Sequence, residues 1–268
     1  LDRTARLKKT GIVLATLFSV LSLHPYLNRI DTQFSRTTQA ELIRQDIRYI
    51  SWDWPLNMRT NGLFTHLIQT SQRSVPPKPS TTEREQFEIL KTSSLATLAQ
   101  PSNIIVILCE ACWHDERHFK EAFSPLAEMG FHPFRAISPV YGGGTVNAAF
   151  ELLTGLPANG TLNGVIYQEY KDLLSSRVWS WARSLEEAGY ASVALHNHNA
   201  AFWNRHVIKP KLGFRRFVAL EDMNYDGPIW ANDAILFKAA TQEQQNSNMP
   251  NFQFITTVYT HGAYISRD

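Results

Sequence analysis

Asn103-Ile-Ile-Val-Ile-Leu-Cys-Glu110 is the stretch on which the reading of this chain turns. Ile104 to Leu108 is an unbroken apolar run, mostly β-branched, with no polar alternation. A strand buried on both faces reads this way, and such strands belong to parallel sheets. Glu110 stands one residue past the run, where a strand end would present it. Two comparable strands are expected over 190–195 and 252–258, leading to His196 and to Thr260-His-Gly262. Between them, helical spacing is read near 118–129, over 147–153, over 177–188 and over 232–240. In the third of these, Val178, Trp181, Leu185 and Ala188 are expected on one side. Strands alternating with helices predict an α/β domain with a mainly parallel sheet flanked by helices, its functional residues at the strands' carboxyl ends.

Toward the N-terminus the texture differs. Arg3, Arg6, Lys8 and Lys9 precede an uncharged run from Gly11 to Leu27. The run is slightly short of the ~20 apolar residues that span a bilayer, and its polar ends make up the difference. An N-terminal transmembrane helix over 1–27 is the reading adopted. The basic flank then stays in the cytoplasm, and everything after residue 27 lies outside the cell (inner) membrane. Residues 28–100 read as an extracytoplasmic connector, helical over 37–50 and again over 62–70. The connector includes a stiff Ser74-Val-Pro-Pro-Lys-Pro-Ser80 linker. Residues 101–268 form the α/β domain, read as truncated at the C-terminus.

Composition narrows the function. The 268 residues carry a net charge of only +2, so no basic field recommends nucleic acid as a partner. Two cysteines are too few for a disulfide framework. Cys109-Glu-Ala-Cys112 could be a redox pair, but Glu110 between the thiols would raise their pKa and oppose reactivity. A structural disulfide and two packed thiols both stay open.

Thr145 closes the glycine run Gly142-Gly-Gly144 and opens a helix. Helix-start amides favour an anion, and a hydroxyl there can be activated against a metal. The plainer reading is a helix N-cap. Glu110 offers oxygen to a hard cation, or serves a salt bridge or cap instead. Phe202-Trp-Asn-Arg205 sets a large aromatic beside a guanidinium that grips phosphate bidentately.

Together these segments resemble, in order over residues 101–264, the lipoteichoic acid synthase and phosphoglycerol transferase family of the alkaline phosphatase/sulfatase superfamily. The residues that carry the resemblance are Asn103–Glu110 and Ser124-Pro-Leu-Ala-Glu-Met-Gly130. They continue with Tyr141-Gly-Gly-Gly-Thr-Val-Asn-Ala-Ala-Phe-Glu-Leu-Leu-Thr-Gly-Leu-Pro157, Phe202–Arg205, Lys211-Leu-Gly-Phe214 and Thr260-His-Gly262. The resemblance implies an alkaline phosphatase/sulfatase-like fold with Thr145 as nucleophile. Glu110 and Thr145 would bind a divalent metal, Mn²⁺ or Mg²⁺ rather than Zn²⁺. Trp203, Arg205, His261 and His196 would bind substrate. The implied reaction moves phosphoglycerol from a membrane phospholipid donor to an extracytoplasmic glycan or glycolipid acceptor. A phosphoethanolamine transferase, a phosphodiesterase and a glycolipid-binding protein without activity are the alternatives on the same fold.

Overall fold

The computed structural model describes residues 38, 40–51, 53–71, 80–82, 85, 102–112, 116–132, 134, 136–138, 140, 144–158, 164–175, 178–228 and 230–261. The membrane helix expected over 1–27 lies outside the described residues, as does most of the proline-rich linker. No helix among the described residues is long and apolar enough to cross a membrane. The chain divides into two compact units, Leu1–Val75 and Pro76–Asp268.

In the first unit, α1 spans Trp54–Asn61 and α2 spans Leu63–Ser71. The Asp53 side chain caps α1 by accepting from the Leu56 N–H at 2.9 Å, and Pro55 sits in its first turn. Asn57 is wholly buried and fully used. It accepts from Ile50 N and Asn61 Nδ2, donates to Gln69 Oε1, and meets His66 Nδ1 at 3.0 Å. The helix expected over 37–50 is shorter, its helical residues ending at Arg44. Asp46 adopts φ 58°, and Ile47 N bonds back to Leu42 O at 2.8 Å, the closure of a left-handed helix stop.

Among the described residues, the second unit is built on four parallel strands: β1 (Ile104–Leu108), β2 (Ala191–His196), β3 (Arg216–Val218) and β4 (Asn251–Thr256). Their spatial order is β1-β4-β2-β3, so β4 returns to lie between the first two. The register sets Ile104 opposite Phe252 and Leu108 opposite Thr256, and it pairs Ala191 with Asn251 and His196 with Thr256. The three expected strands are neighbours in this one sheet.

Helices described in this unit include α3 (Glu116–Glu128), α4 (Thr145–Thr154), α5 (Ile166–Glu169), α6 (Trp181–Glu187), α7 (Arg205–Lys211) and α8 (Asp233–Gln245). Alternation along the strands assigns each helix its face. Ala194, Phe252 and Phe254 point into the larger core with residues of α4, α5, α6 and α7. Val193, Leu195 and Ile255 point the other way, against Leu236, Ala239 and Ala240 of α8. β1 lies at the sheet edge, and its Ile105 and Ile107 are half exposed, so this strand is not buried on both faces as its unbroken apolar run predicts.

One amphipathic assignment needs correction. Val178 and Leu185 pack against the larger core, but Trp181 is exposed and Ala182 is wholly buried instead. Ser180 caps α6 through its side chain, so Val178 precedes the helix and does not share its periodicity. Ser180 Oγ also donates to Leu212 O, tying α6 to the end of α7. There Gly213 has φ +89° and would bring a Cβ to 3.0 Å from the Arg183 backbone, so only glycine fits.

Candidate active site

Leu108, Thr256 and His196 stand level across the sheet, so the segments after β1, β4 and β2 all leave from the same end. This is the end at which α/β sheets carry ligands. Hydrogen bonds join two of these segments. Thr257 N donates to Leu108 O at 3.1 Å, Glu110 N to Thr257 Oγ1 at 3.1 Å, and Thr260 Oγ1 to Glu110 O at 2.6 Å. Cys109 and Cys112 form a disulfide across the same turn, which settles the alternatives left open for this pair. Glu110 is thus held by its backbone, and its side chain is buried.

The carboxylate faces Arg205, with Nη2 3.6 Å from Oε2 and both side chains buried. That separation exceeds hydrogen-bond length, and Glu110 Oε2 has no hydrogen-bond partner among the described residues. Burial brings Arg205 down to about 10 against the supporting charge of Glu110. Arg205 owes its position to a kink. Trp203 and Asn204 adopt φ 57° and 53°, a left-handed pair that turns the chain into α7. The Asn204 side chain anchors the kink by donating to Gln168 Oε1 of α5. Phe202 lies beneath the guanidinium, its ring centroid 5.5 Å from Cζ, and 5.4 Å from the Trp203 ring.

His196 donates from Nδ1 to Thr256 O at 2.8 Å, since a carbonyl can only accept. Its Nε2 is therefore a bare lone pair, buried and without a hydrogen-bond partner among the described residues. Burial first, and Arg205 second, hold the imidazole neutral, well below the ordinary histidine pKa. His198 stacks beside it at 5.9 Å, and burial with Arg205 lowers His198 to about 4. The rings continue outward. His198 meets Phe202 at 4.3 Å and Trp230 at 5.2 Å, and Trp230 stacks on His261 at 4.4 Å and 16°. Glu110, Arg205, His196 and His261 thus belong to one linked set of contacts at one end of the sheet, with Trp203 against Phe202 beside them.

Thr145 is the first residue of α4, and the N-cap is Gly144, so the hydroxyl is not the cap that the plainer reading supposes. A side chain at Gly144 would place Cβ 2.7 Å from Val140 Cγ1. The Thr145 hydroxyl makes no hydrogen bond among the described residues; Tyr141, Gly142 and Gly143 lie outside them. The helix it opens is firmly seated. Val146, Phe150 and Leu153 are buried. Asn147 bonds Gly164 O at 2.8 Å and Ile166 N at 2.9 Å.

Sequence reasoning misses four neighbours of these residues: His198, Lys209, Trp230 and Asp233. His198 had a visible signal, two residues past His196 in His-Asn-His. Lys209 is buried one turn after Arg205, its ammonium 4.5 Å from the Phe254 ring centroid and 5.3 Å from that of Phe214. Burial first, and Arg205 second, bring it down to about 7. Trp230 and Asp233 carry no pattern that marks them before the fold is seen.

Comparison with known proteins completes the assignment. A family model described as Sulfatase matches residues 102–268. The putative cyclic beta-1,2-glucan modification protein of Rhizobium meliloti (strain 1021) is 27% identical over 276 residues, which is 98% of this chain and 41% of that protein. The chain therefore spans less than half the length of this relative. Among solved structures, the phosphoglycerol transferase GacH of Streptococcus pyogenes, in complex with sn-glycerol-1-phosphate, superposes with a TM-score of 0.49 at 19% identity, covering 69% of this chain and 54% of that one. The lipoteichoic acid synthase LtaP of Listeria monocytogenes gives a TM-score of 0.48 at 18% identity, over 66% of this chain and 47% of its own. With the family model covering most of its length, the chain belongs to the Sulfatase family of enzymes.

Proposed function

We propose that the protein of which this chain is part transfers phosphoglycerol from a membrane phospholipid to an extracytoplasmic glycan. The observation that carries this reading is the buried pair of Glu110 and Arg205, whose carboxylate oxygen has no hydrogen-bond partner among the described residues. A buried charged group left short of partners costs stability unless a ligand completes it. An anionic phosphoryl group meets the guanidinium, and a cation meets the carboxylate.

Enzymes of this superfamily use divalent metals generally. Among the described residues no three His, Cys, Asp or Glu side chains gather around one point. The oxygen donors of Glu110 and Thr145 fit a hard ion, Mn²⁺ or Mg²⁺, as part of its shell. Such an ion supplies charge stabilisation at the phosphoryl oxygens and lowers the pKa of a bound hydroxyl.

The chain's own groups then divide the work. Thr145 Oγ attacks phosphorus, and the bond from phosphorus to the diacylglycerol oxygen breaks. Diacylglycerol leaves with a proton, and phosphoglycerol remains esterified to Thr145. An acceptor hydroxyl next attacks phosphorus, gives up its proton, and releases Thr145. Arg205 holds the phosphoryl oxygens throughout, and the amides opening α4 face the developing charge. The bare Nε2 of neutral His196 accepts from a substrate hydroxyl. Trp203 and His261 wall the polyol.

The name of the Rhizobium meliloti relative supports a glucan as the acceptor, and the basic flank before residue 11 supports a membrane anchor with the domain outside the cytoplasm. The test uses the full-length protein in vesicles of phosphatidylglycerol labelled in its glycerol headgroup, with Mn²⁺ and a cyclic glucan. Label should pass to the glucan, and unlabelled diacylglycerol should accumulate. Release of both products only by hydrolysis, with no label on any glycan, would favour a phosphodiesterase.

A further inference from the structure

The loops that carry His198 and His261 come from different strands, yet a single carboxylate oxygen joins them. Asp233 Oδ1 accepts from Asn197 Nδ2 at 2.9 Å, from Val258 N at 3.0 Å and from Tyr259 N at 3.2 Å. Asn197 is wholly buried, and its amide also donates to Ala231 O at 2.8 Å. The turn that begins at Val258 closes on itself, with His261 N donating to Val258 O at 2.9 Å. Both loops are therefore fastened to the short segment that begins with Trp230 and ends at the start of α8.

Trp230 stands between the two imidazoles. One ring, His261, lies parallel to it at 4.4 Å, and the other, His198, is tilted by 49° at 5.2 Å. Three N–H groups from two loops thus converge on one carboxylate oxygen at 2.9, 3.0 and 3.2 Å. Asp233 also sits in the first turn of α8, where the helix dipole favours its charge. None of this is explained by the core, because neither Trp230 nor Asp233 belongs to either hydrophobic cluster.

We propose that Asp233 is a positioning residue: it fastens the loops after β2 and β4 to one another and so fixes His198 and His261 against Trp230. The consequence for the reaction rests on the phosphoglycerol transfer proposed above, but the geometry does not. If His261 contacts substrate, freeing its loop should lower kcat/KM by about 10²-fold, the size of effect that a displacement near 1 Å produces.

The experiment uses the full-length protein in detergent micelles with ¹³C-labelled histidine. The His261 resonance is assigned by its loss in His261→Gln. In the wild type, stacking on Trp230 should shift the His261 ring protons upfield. Trp230→Leu should remove that shift, and so should Asp233→Ala. Asp233→Asn keeps an acceptor oxygen in place and should retain most of the shift and most of the activity. An unchanged His261 shift in Asp233→Ala would overturn the proposal, as would an Asp233→Asn variant as defective as Asp233→Ala. Should Asp233→Ala fail to fold, Trp230→Leu and Asp233→Asn still decide: retention of the shift in the first, or its complete loss in the second, overturns the idea. Absence of transfer by the wild type would sink the proposed reaction and leave the resonance comparison intact, so the two failures are distinguishable.

Discussion

Arg205 Nη2 lies 3.6 Å from Glu110 Oε2, and neither side chain reaches solvent. The pair joins the end of β1 to the start of α7 across more than ninety residues of chain. Removing one partner from a buried pair strands the other, at a cost of about 3–5 kcal/mol. Arg205→Ala should lower stability in urea denaturation by about that amount. Arg205→Lys should cost less, because charge is kept, yet turnover should fall sharply as the bidentate fork is lost. Equal turnover in Arg205→Lys and wild type would contradict a phosphate-gripping role.

Lys209 predicts a specific pH dependence. Its pKa falls from 10.5 in the unfolded chain to about 7 in the folded one, chiefly through burial. Between those values the unfolded state binds the extra proton, so stability must rise with pH across the window. Below about 7 both states are protonated and the full penalty is present, on the order of a few kcal/mol. Lys209→Met should stabilise the protein at pH 6 and flatten the slope between pH 7 and 10. Urea midpoints measured at several pH values check this.

His198 adds a lower window. Its pKa falls from 6.5 to about 4, again chiefly through burial. Stability should therefore drop as pH falls below 6.5 and level off near 4. His198→Phe should reduce that acid sensitivity, since an apolar ring between Phe202 and Trp230 needs no proton. A denaturation series from pH 7 to 4, compared with wild type, shows whether it does.

The left-handed pair before Arg205 is a third point of leverage. Trp203 and Asn204 both carry positive φ, and Asn tolerates that region far better than most residues. Asn204→Ala should cost about 1–2 kcal/mol from backbone strain, plus the lost bond to Gln168. Asn204→Gly removes the strain but not the bond loss, so it should be the milder change. If the two variants have equal stability, backbone conformation is not what Asn204 supplies.

How much of this was legible beforehand differs by element. The strands were, because Ile104–Leu108 is an unbroken, mostly β-branched apolar run and every residue of Asn251–Thr256 is buried, although β1 exposes Ile105 and Ile107 on one face. β3 was not, since three residues beginning with Arg216 give no apolar run. The helix Trp54–Asn61 was missed although Asp53, Pro55 and Gly62 mark its two ends, because its interior Leu56, Asn57 and Met58 lack an apolar stripe. In the site, Glu110 and Arg205 could be named from sequence because charge after a strand and Arg after an aromatic have recognisable chemistry. Asp233 could not. Its role depends on two backbone amides and one side chain from distant loops, and only the fold brings them to one oxygen. Lys209 was hidden for a related reason, since a lysine on a short helix reads as solvated until three aromatic rings are found around it.

The central claim is covalent transfer through Thr145, and it is tested most directly by mass spectrometry of the full-length protein after brief reaction with phosphatidylglycerol and Mn²⁺, without acceptor. A glycerophosphoryl adduct should appear on the peptide that contains Thr145, disappear when glucan is added, and be absent from Thr145→Ala. The loss of one hydroxyl leaves that variant folded, because Val146, Phe150 and Leu153 still seat α4 in the core. Wild-type transfer by Thr145→Ala, or an adduct on another residue, would contradict the account.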